Sequence, residues 1–163
     1  MNVMAQPLQR FDLQGLVAAI AHAQAEDRLE PTLSAAQWDA LNGYLQPHGL
    51  VSGEILFDRG AQDRTVFLVE SGTLSVHLED DKGRLKLAMI GPGGVVGEGA
   101  FFSHRPRSAT VQANSACQLW MLSAVRFSEL AHRQPAIALA LAMGFGSVQA
   151  RRLANRRRRF VST

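Results

Sequence analysis

The sequence predicts a mainly β domain with helices at both ends. Apolar residues recur at helical spacing up to about Leu45, alternate with a period of two from His48 to Ser123, and then return to helical spacing. Glycines punctuate the central stretch at 53, 60, 72, 83, 91, 93, 94, 97 and 99, and eight short apolar runs lie between them. Many short strands with closely spaced turns point to a sandwich or a jelly-roll barrel.

The first helix rests on Leu13, Leu16, Val17, Ile20 and Ala21 within residues 12–28, with Asp12 as its N-cap. A second helix is expected after Pro31, where Ser34-Ala35-Ala36-Gln37 has the form of a capping box. Trp38, Leu41 and Leu45 make its apolar face, and Pro47 closes it. The strands are read at 50–51, 55–57, 66–70, 74–78, 85–90, 95–97, 109–112 and 118–122. Asp80-Asp81-Lys82-Gly83 has the residues of a hairpin turn. Residues 124–133 then form a short helix on Val125, Phe127 and Leu130. Pro135 suits the first position of a long helix through Ile137, Leu141, Phe145, Val148 and Leu153. Gly144 and Gly146 cost that helix about 1 kcal/mol each relative to alanine, and mark either a bend or the close approach of another backbone. The chain thus divides into an N-terminal helical extension (1–31), the strand-rich unit with its flanking helices (32–134) and a C-terminal helix with a basic tail (135–163).

A chain of 163 residues with 47% hydrophobic content can bury a core as one domain. No apolar run approaches the roughly 18 residues that span a bilayer, and no basic region followed by an apolar core opens the chain. The lone cysteine, Cys117, excludes an internal disulfide and is expected as a buried thiol in a strand. These features predict a cytoplasmic protein. The net charge of +3 conceals an asymmetry: six of the 17 basic residues fall between Arg151 and Arg159, where no acidic residue occurs. The other 11 face 14 acidic residues, so a mildly acidic body carries a basic tail.

The most informative stretch runs from Gly97 to Val111. Glu98 and Arg107 stand nine positions apart, with small residues and two aromatics between them and an alternating strand after them. Gly97 and Gly99 leave main-chain N–H groups uncovered, which suits an anion if a helical turn begins there. An Arg fork matches phosphate oxygens, and a carboxylate beside it can accept from a sugar hydroxyl. Spacing alone is equally compatible with a surface ion pair and an ordinary turn.

This segment, Gly97-Glu98-Gly99-Ala100 followed by Pro106-Arg107-Ser108-Ala109-Thr110-Val111, resembles the phosphate-binding cassette of cyclic-nucleotide-binding domains. Gly53-Glu54-Ile55-Leu56-Phe57, the spacing to Gly60, Val66 to Gly72, and Ile90-Gly91-Pro92-Gly93 resemble the family's earlier strands and its turn into the cassette, so the likeness covers about residues 32–155. The resemblance implies an eight-stranded jelly-roll β-barrel followed by a hinge helix and a lid helix. It implies a cyclic nucleotide as ligand, cAMP favoured over cGMP on the Arg107-Ser108-Ala109 sequence, and no further cofactor. Arg107 would bind the exocyclic phosphate oxygens and Glu98 the ribose 2′-hydroxyl. The N–H groups of Gly99 and Ala100 would complete the anion nest with Gly97, Ser108 and Ala109 around it, and Val96, Leu87 and Met89 would form the apolar wall. Arg151 or Arg152 would reach over the base from the lid. Three positions depart from the pattern: Gly99 replaces a bulky apolar residue, Val96 a frequent Phe, and Ala61 an acidic residue.

No catalytic motif competes with this reading. The histidines at 22, 48, 77, 104 and 132 are dispersed, no metal-ligand spacing occurs, and no P-loop or nucleophile elbow appears, so the chain is expected to be non-enzymatic and metal-free. The Arg tail suits a solvated helix end, or contact with acidic lipid, nucleic acid or an acidic partner. Transcription factors of the catabolite-activator type continue from the long helix into a helix-turn-helix, whereas this chain reaches Thr163, so specific DNA binding is not expected. Two functions remain: a cyclic-nucleotide sensor whose lid helix signals to a protein partner or to a second subunit through the helices, and an interaction module that keeps the fold but does not respond to nucleotide.

Overall fold

The computed structural model describes residues 9–161, with side chains described as far as residue 155. Helices α1 (Gln14–His22) and α2 (Ala35–Leu41) precede strands β1 (Gln46–Leu50), β2 (Ile55–Phe57), β3 (Val66–Ser71), β4 (Leu74–Glu79), β5 (Leu85–Ile90) and β6 (Val95–Val96). Helix α3 (Glu98–Ser103), strands β7 (Thr110–Ala113) and β8 (Cys117–Leu122), and helices α4 (Ala124–Arg133) and α5 (Pro135–Val161) complete the chain. The eight strands form two antiparallel sheets, ordered β1-β8-β3-β6 and β2-β7-β4-β5. They face each other as a jelly-roll-like sandwich without closing into a barrel.

Alternation along β3 and β8 divides the interior in two. Phe67, Val69 and Leu119 point between the sheets, where they meet Leu74, Val111 and Val96. Val66, Leu68, Trp120 and Leu122 point the other way, onto helical residues that include Leu16, Leu41, Leu141 and Phe145. Strand β3 is therefore covered on both faces, which is why Val66–Val69 reads as an unbroken apolar run. Cys117 is buried, and burial raises its thiol pKa against the hydrogen bonds that it makes to Thr73 and Ser115.

Local chemistry set several element ends as expected. Ser34 and Gln37 form both bonds of the capping box, at 3.2 and 3.0 Å. Gly83, at φ 75°, closes the β4–β5 hairpin. Several boundaries differ from the sequence reading: the N-cap of α1 is Leu13 rather than Asp12, whose carboxylate accepts from Gln14 N, and α2 ends at Leu41, well before Pro47. The first helix ends at His22 rather than near residue 28, because the chain turns at 26–27 and delivers Leu29 in extended form to the helical core. Strand β1 begins at Gln46 and includes Pro47, which pairs with Trp120; β1 is an edge strand, and an edge tolerates the missing N–H.

Candidate functional site

The turn from β6 into α3 builds the site. Gly97 caps α3 in the left-handed region, at φ 88°. A Cβ there would lie 2.6 Å from the Thr65 carbonyl oxygen and 2.7 Å from Arg107 Nη1, so only glycine lets the chain pass this close to the guanidinium. Glu98 opens the helix with a buried side chain, and the first-turn amides of Glu98, Gly99 and Ala100 lack intrahelical acceptors. A Cβ on Gly99 would meet only Gln149 Nε2, at 3.9 Å, so the bulky residue expected there would find room.

Arg107 is 3% exposed, and its guanidinium is held from several sides. Nη2 donates to Asp63 Oδ2 at 2.7 Å and to the Thr65 carbonyl at 2.8 Å, and Nη1 donates to the Gly97 carbonyl at 3.1 Å. The cation lies 4.1 Å from the centre of the Phe57 ring, a cation–π contact. Its Nε is buried without a partner. The backbone of Arg107 also pairs with the Gly60–Ala61 turn, through Arg107 N to the Ala61 carbonyl (2.9 Å) and Gly60 N to the Arg107 carbonyl (2.8 Å). That turn therefore carries Asp63 to the guanidinium. Burial by itself would raise the Asp63 pKa, but the bonds from Arg107 and Thr65 and the charge of Arg107 hold it below the ordinary value.

Glu98 has a cation of its own. Arg152, two-thirds of the way along α5, donates from Nη1 to Glu98 Oε1 at 2.6 Å, from Nε to Asp27 Oδ2 at 2.9 Å and from Nη2 to the Val95 carbonyl at 2.8 Å. Burial opposes the charge on Arg152, yet Glu98 and Asp27 outweigh it and raise its pKa above that of a free arginine. Arg151 takes the carbonyls of Glu26 and Arg28, the Glu30 carboxylate and the Ser147 hydroxyl. Both arginines thus bind the segment between α1 and α2, and Arg152 binds the cassette as well. Every guanidinium nitrogen of Arg152 has a partner within the chain, at Asp27, Glu98 and Val95. The side chains of Arg156–Arg159 lie outside the described residues.

The other predicted residues divide by position. Gly97, Glu98, Gly99, Ala100 and Arg107 are drawn together at the β6–α3 turn. Ala109 is buried beside Arg107, Ser108 is exposed, and Val96 lies in the core between the sheets. Leu87 and Met89 do not line that interior. They pair across β4 with His77 and Ser75, on the sheet face opposite Val76 and Leu74, and stand 60% and 47% exposed. Side chains alternate along a strand, so the residue of β5 that shares the inner face with Val76 is Ala88. The sequence reading also missed Asp63, Phe57 and Asp27. Asp63 had one legible signal, its place in the Gly60 turn, but nothing in linear spacing ties residues 27, 57 or 63 to positions 98 and 107.

Phe101 joins the cassette to the last two helices. Its ring makes edge contacts with Phe127 of α4 at 4.9 Å and with Phe145 of α5 at 5.9 Å, while Arg64 Nη2 holds its carbonyl at 2.8 Å.

Comparison with known proteins agrees with this geometry. Residues 48–134 match the sequence profile of the cyclic nucleotide-binding domain, and the chain belongs to that family, a family of ligand-binding regulatory domains. It is 31% identical over 108 residues to the cAMP-activated global transcriptional regulator CRP of Salmonella typhimurium, a match that covers 65% of this chain and 50% of the relative. It is 34% identical over 62 residues to the cAMP-dependent protein kinase type II regulatory subunit of Drosophila melanogaster, covering 38% of this chain and 16% of that one. The chain therefore spans half or less of the length of these relatives. A cyclic nucleotide-binding domain from Methylobacillus flagellatus shares the fold at a TM-score of 0.79 and 17% identity, over 91% of this chain and 82% of its own. The catabolite activator protein of Thermus thermophilus superposes at 0.68 with 26% identity, over 79% and 59%. Among the described residues no helix is long and apolar enough to cross a membrane.

Proposed function

We propose that the chain is a cyclic-nucleotide sensor that takes cAMP ahead of cGMP and signals through α4 and α5. The observation that carries this reading is Arg107: an arginine 3% exposed, its Nε without a partner, its only counter-charge among the described residues a half-exposed aspartate, beside first-turn amides with no acceptor among them. A cyclic phosphate diester supplies one negative charge and oxygens for those donors. Glu98 accepts the ribose 2′-hydroxyl, Ser108 offers its hydroxyl at the exposed rim, and Ala88 replaces Leu87 and Met89 as the apolar wall. The preference for cAMP rests on the Arg107-Ser108-Ala109 sequence and on relatives whose names call them cAMP-activated. Calorimetric titration with cAMP and cGMP tests the reading. Micromolar or tighter binding of cAMP, lost in a folded Arg107→Ala variant, is the expected result. No heat and no thermal shift with either nucleotide would select the interaction module that keeps the fold without responding.

A feature of α5 supports a second copy of this chain as the partner. From Gln134 to Ala150 the helix carries no charged residue, although one of its faces is open to solvent. Leu139, Met143 and Leu153 are at least half exposed, and with Gly146 and Ala150 they recur at alternating spacings of four and three, the seam of a helix pair. Gly144 has a reason within the chain, since a Cβ there would press on Leu29 Cδ1 at 3.2 Å. At Gly146 a Cβ would meet nothing within 4 Å among the described residues, which leaves room there for another backbone to approach. A chargeless stripe is complementary to its own copy. Sedimentation should show a dimer that Leu139→Lys with Met143→Lys converts to a folded monomer; a monomer in both would remove this partner.

A further inference from the structure

We infer that Arg152, two-thirds of the way along α5, sets how strongly the site distinguishes ribose from deoxyribose, by positioning Glu98. The inference rests on the proposed cyclic-nucleotide reading and adds a specificity residue to it. Glu98 is a buried carboxylate in the first turn of α3, where a close counter-charge offsets the cost of its desolvation. Arg152 provides it at Oε1 and leaves Oε2 without a hydrogen-bond partner among the described residues. One oxygen is thus anchored and the other is a free acceptor for a single hydroxyl donor. Arg152 cannot swing away to release the carboxylate cheaply, since Asp27 and the Val95 carbonyl hold its remaining nitrogens. Glu98 is therefore held in one rotamer before any sugar arrives, which removes the ordering cost that would weaken the new bond.

Three parts of the chain meet in this contact: the segment between α1 and α2 through Asp27, the cassette through Glu98, and α5 through Arg152. Removing the arginine leaves Glu98 free to take up another rotamer. A turned-away carboxylate no longer meets a 2′-hydroxyl. The loss falls on the part of the ligand that touches Glu98 and spares the phosphate on Arg107.

The experiment compares cAMP with 2′-deoxy-cAMP by calorimetry in the wild type, Arg152→Met, Arg152→Lys, Glu98→Gln and the Arg152→Met/Glu98→Gln double variant. In the wild type the ribonucleotide should bind about tenfold or more tightly than the deoxynucleotide, as a hydrogen bond to a charged acceptor warrants. Arg152→Met should bring that ratio close to one through loss of cAMP affinity, with 2′-deoxy-cAMP affinity changed no more than about twofold. Arg152→Lys should recover part of the ratio. The double variant leaves no unpaired Glu98 charge beside the lost arginine, so it should fold even where Arg152→Met does not, and its ratio should match that of Glu98→Gln. Equal weakening of both nucleotides would reduce Arg152 to a structural role and overturn the inference, as would an unchanged ratio. Failure of the wild type to bind either nucleotide would instead overturn the cyclic-nucleotide reading itself, and this inference with it.

Discussion

Arg107 Nη2 lies 2.7 Å from Asp63 Oδ2, so the buried cation of the site already carries a counter-charge, and that counter-charge is half open to water. A bound phosphate would have to share the guanidinium with Asp63, and the two anions would repel each other. Asp63→Asn keeps the size and an acceptor oxygen while removing the charge. It is expected to tighten cAMP binding several-fold at low salt, with the gain shrinking as salt screens the repulsion. Calorimetry at two ionic strengths checks it. Weaker binding would mean that Asp63 orients Arg107 more than it competes for it.

The same pair makes stability depend on acid in a definite sense. Asp63 has a folded pKa below its ordinary value of 3.8, because the bonds from Arg107 and Thr65 outweigh desolvation. A carboxyl whose pKa falls on folding contributes stability that is complete above its unfolded pKa and is lost as the pH drops through its folded pKa. The window therefore lies below about pH 4. Asp80 adds to the same window, held low chiefly by the Arg84 amide against desolvation and further by the Arg84 side chain and the Lys82 amide. Urea midpoints measured from pH 7 to pH 2 should fall less steeply in Asp63→Asn than in the wild type over the acid limb only. Above pH 5 the two curves should run parallel, offset by the full contribution of the pair, and a difference in slope there would not come from this group.

Gly15 ties α1 to β3. A Cβ on it would stand 1.8 Å from Glu70 Oε1, and that carboxylate is not free to retreat, since Oε2 accepts from Trp120 Nε1 at 2.5 Å. Gly15→Ala should therefore lower stability by about 1–2 kcal/mol, despite the better helix propensity of alanine, because it breaks a hydrogen bond to a charged acceptor. Adding Glu70→Ala should recover part of the loss, giving a coupling energy that two independent sites would not show. Denaturant melts of the two single variants and the pair measure it. Additive losses would place the strain elsewhere.

Much of this was legible in the chain because local chemistry and periodicity decide it. The switch from helical spacing to alternation marked the strand-rich unit. Ser34 and Gln37 wrote their own helix start, and Gly97 with Glu98 marked the turn from β6 into α3. Leu87 and Met89 were misplaced for a reason of parity: a shift of one residue in reading β5 exchanges its faces, and only the pairing with β4 fixes which face is inner. The first helix was read to residue 28 on a stripe that ends at Ala21, whereas the chain leaves the helix after His22, with Ala23 extended, and Leu29 lies close to Gly144 by a tertiary contact. The pairings of Arg107 with Asp63 and of Arg152 with Glu98 join residues 44 and 54 positions apart. No local pattern records such a contact, because folding rather than spacing brings its charges together.

Phe101 offers the sharpest test of how a signal would leave the site. Its ring lies edge-on to Phe127 of α4 and Phe145 of α5, and its own helix carries Glu98 three residues earlier. A ligand-induced movement of α3 would thus reach both terminal helices through this buried side chain, beside the Arg152–Glu98 bridge to α5. Phe101→Leu keeps the site apolar and leaves the hydrogen bonds of Glu98 and Arg107 in place, but it forfeits the aromatic contacts, each about 0.5–1.5 kcal/mol beyond burial. The variant is expected to bind cAMP within about threefold of the wild type, because its loss falls outside the ligand contacts. It should also lose most of the ligand-induced change in amide hydrogen exchange along α4 and α5. Equal changes in exchange in the variant and the wild type would show that the helices sense the ligand by another path, and the Arg152–Glu98 bridge would then be the remaining connection.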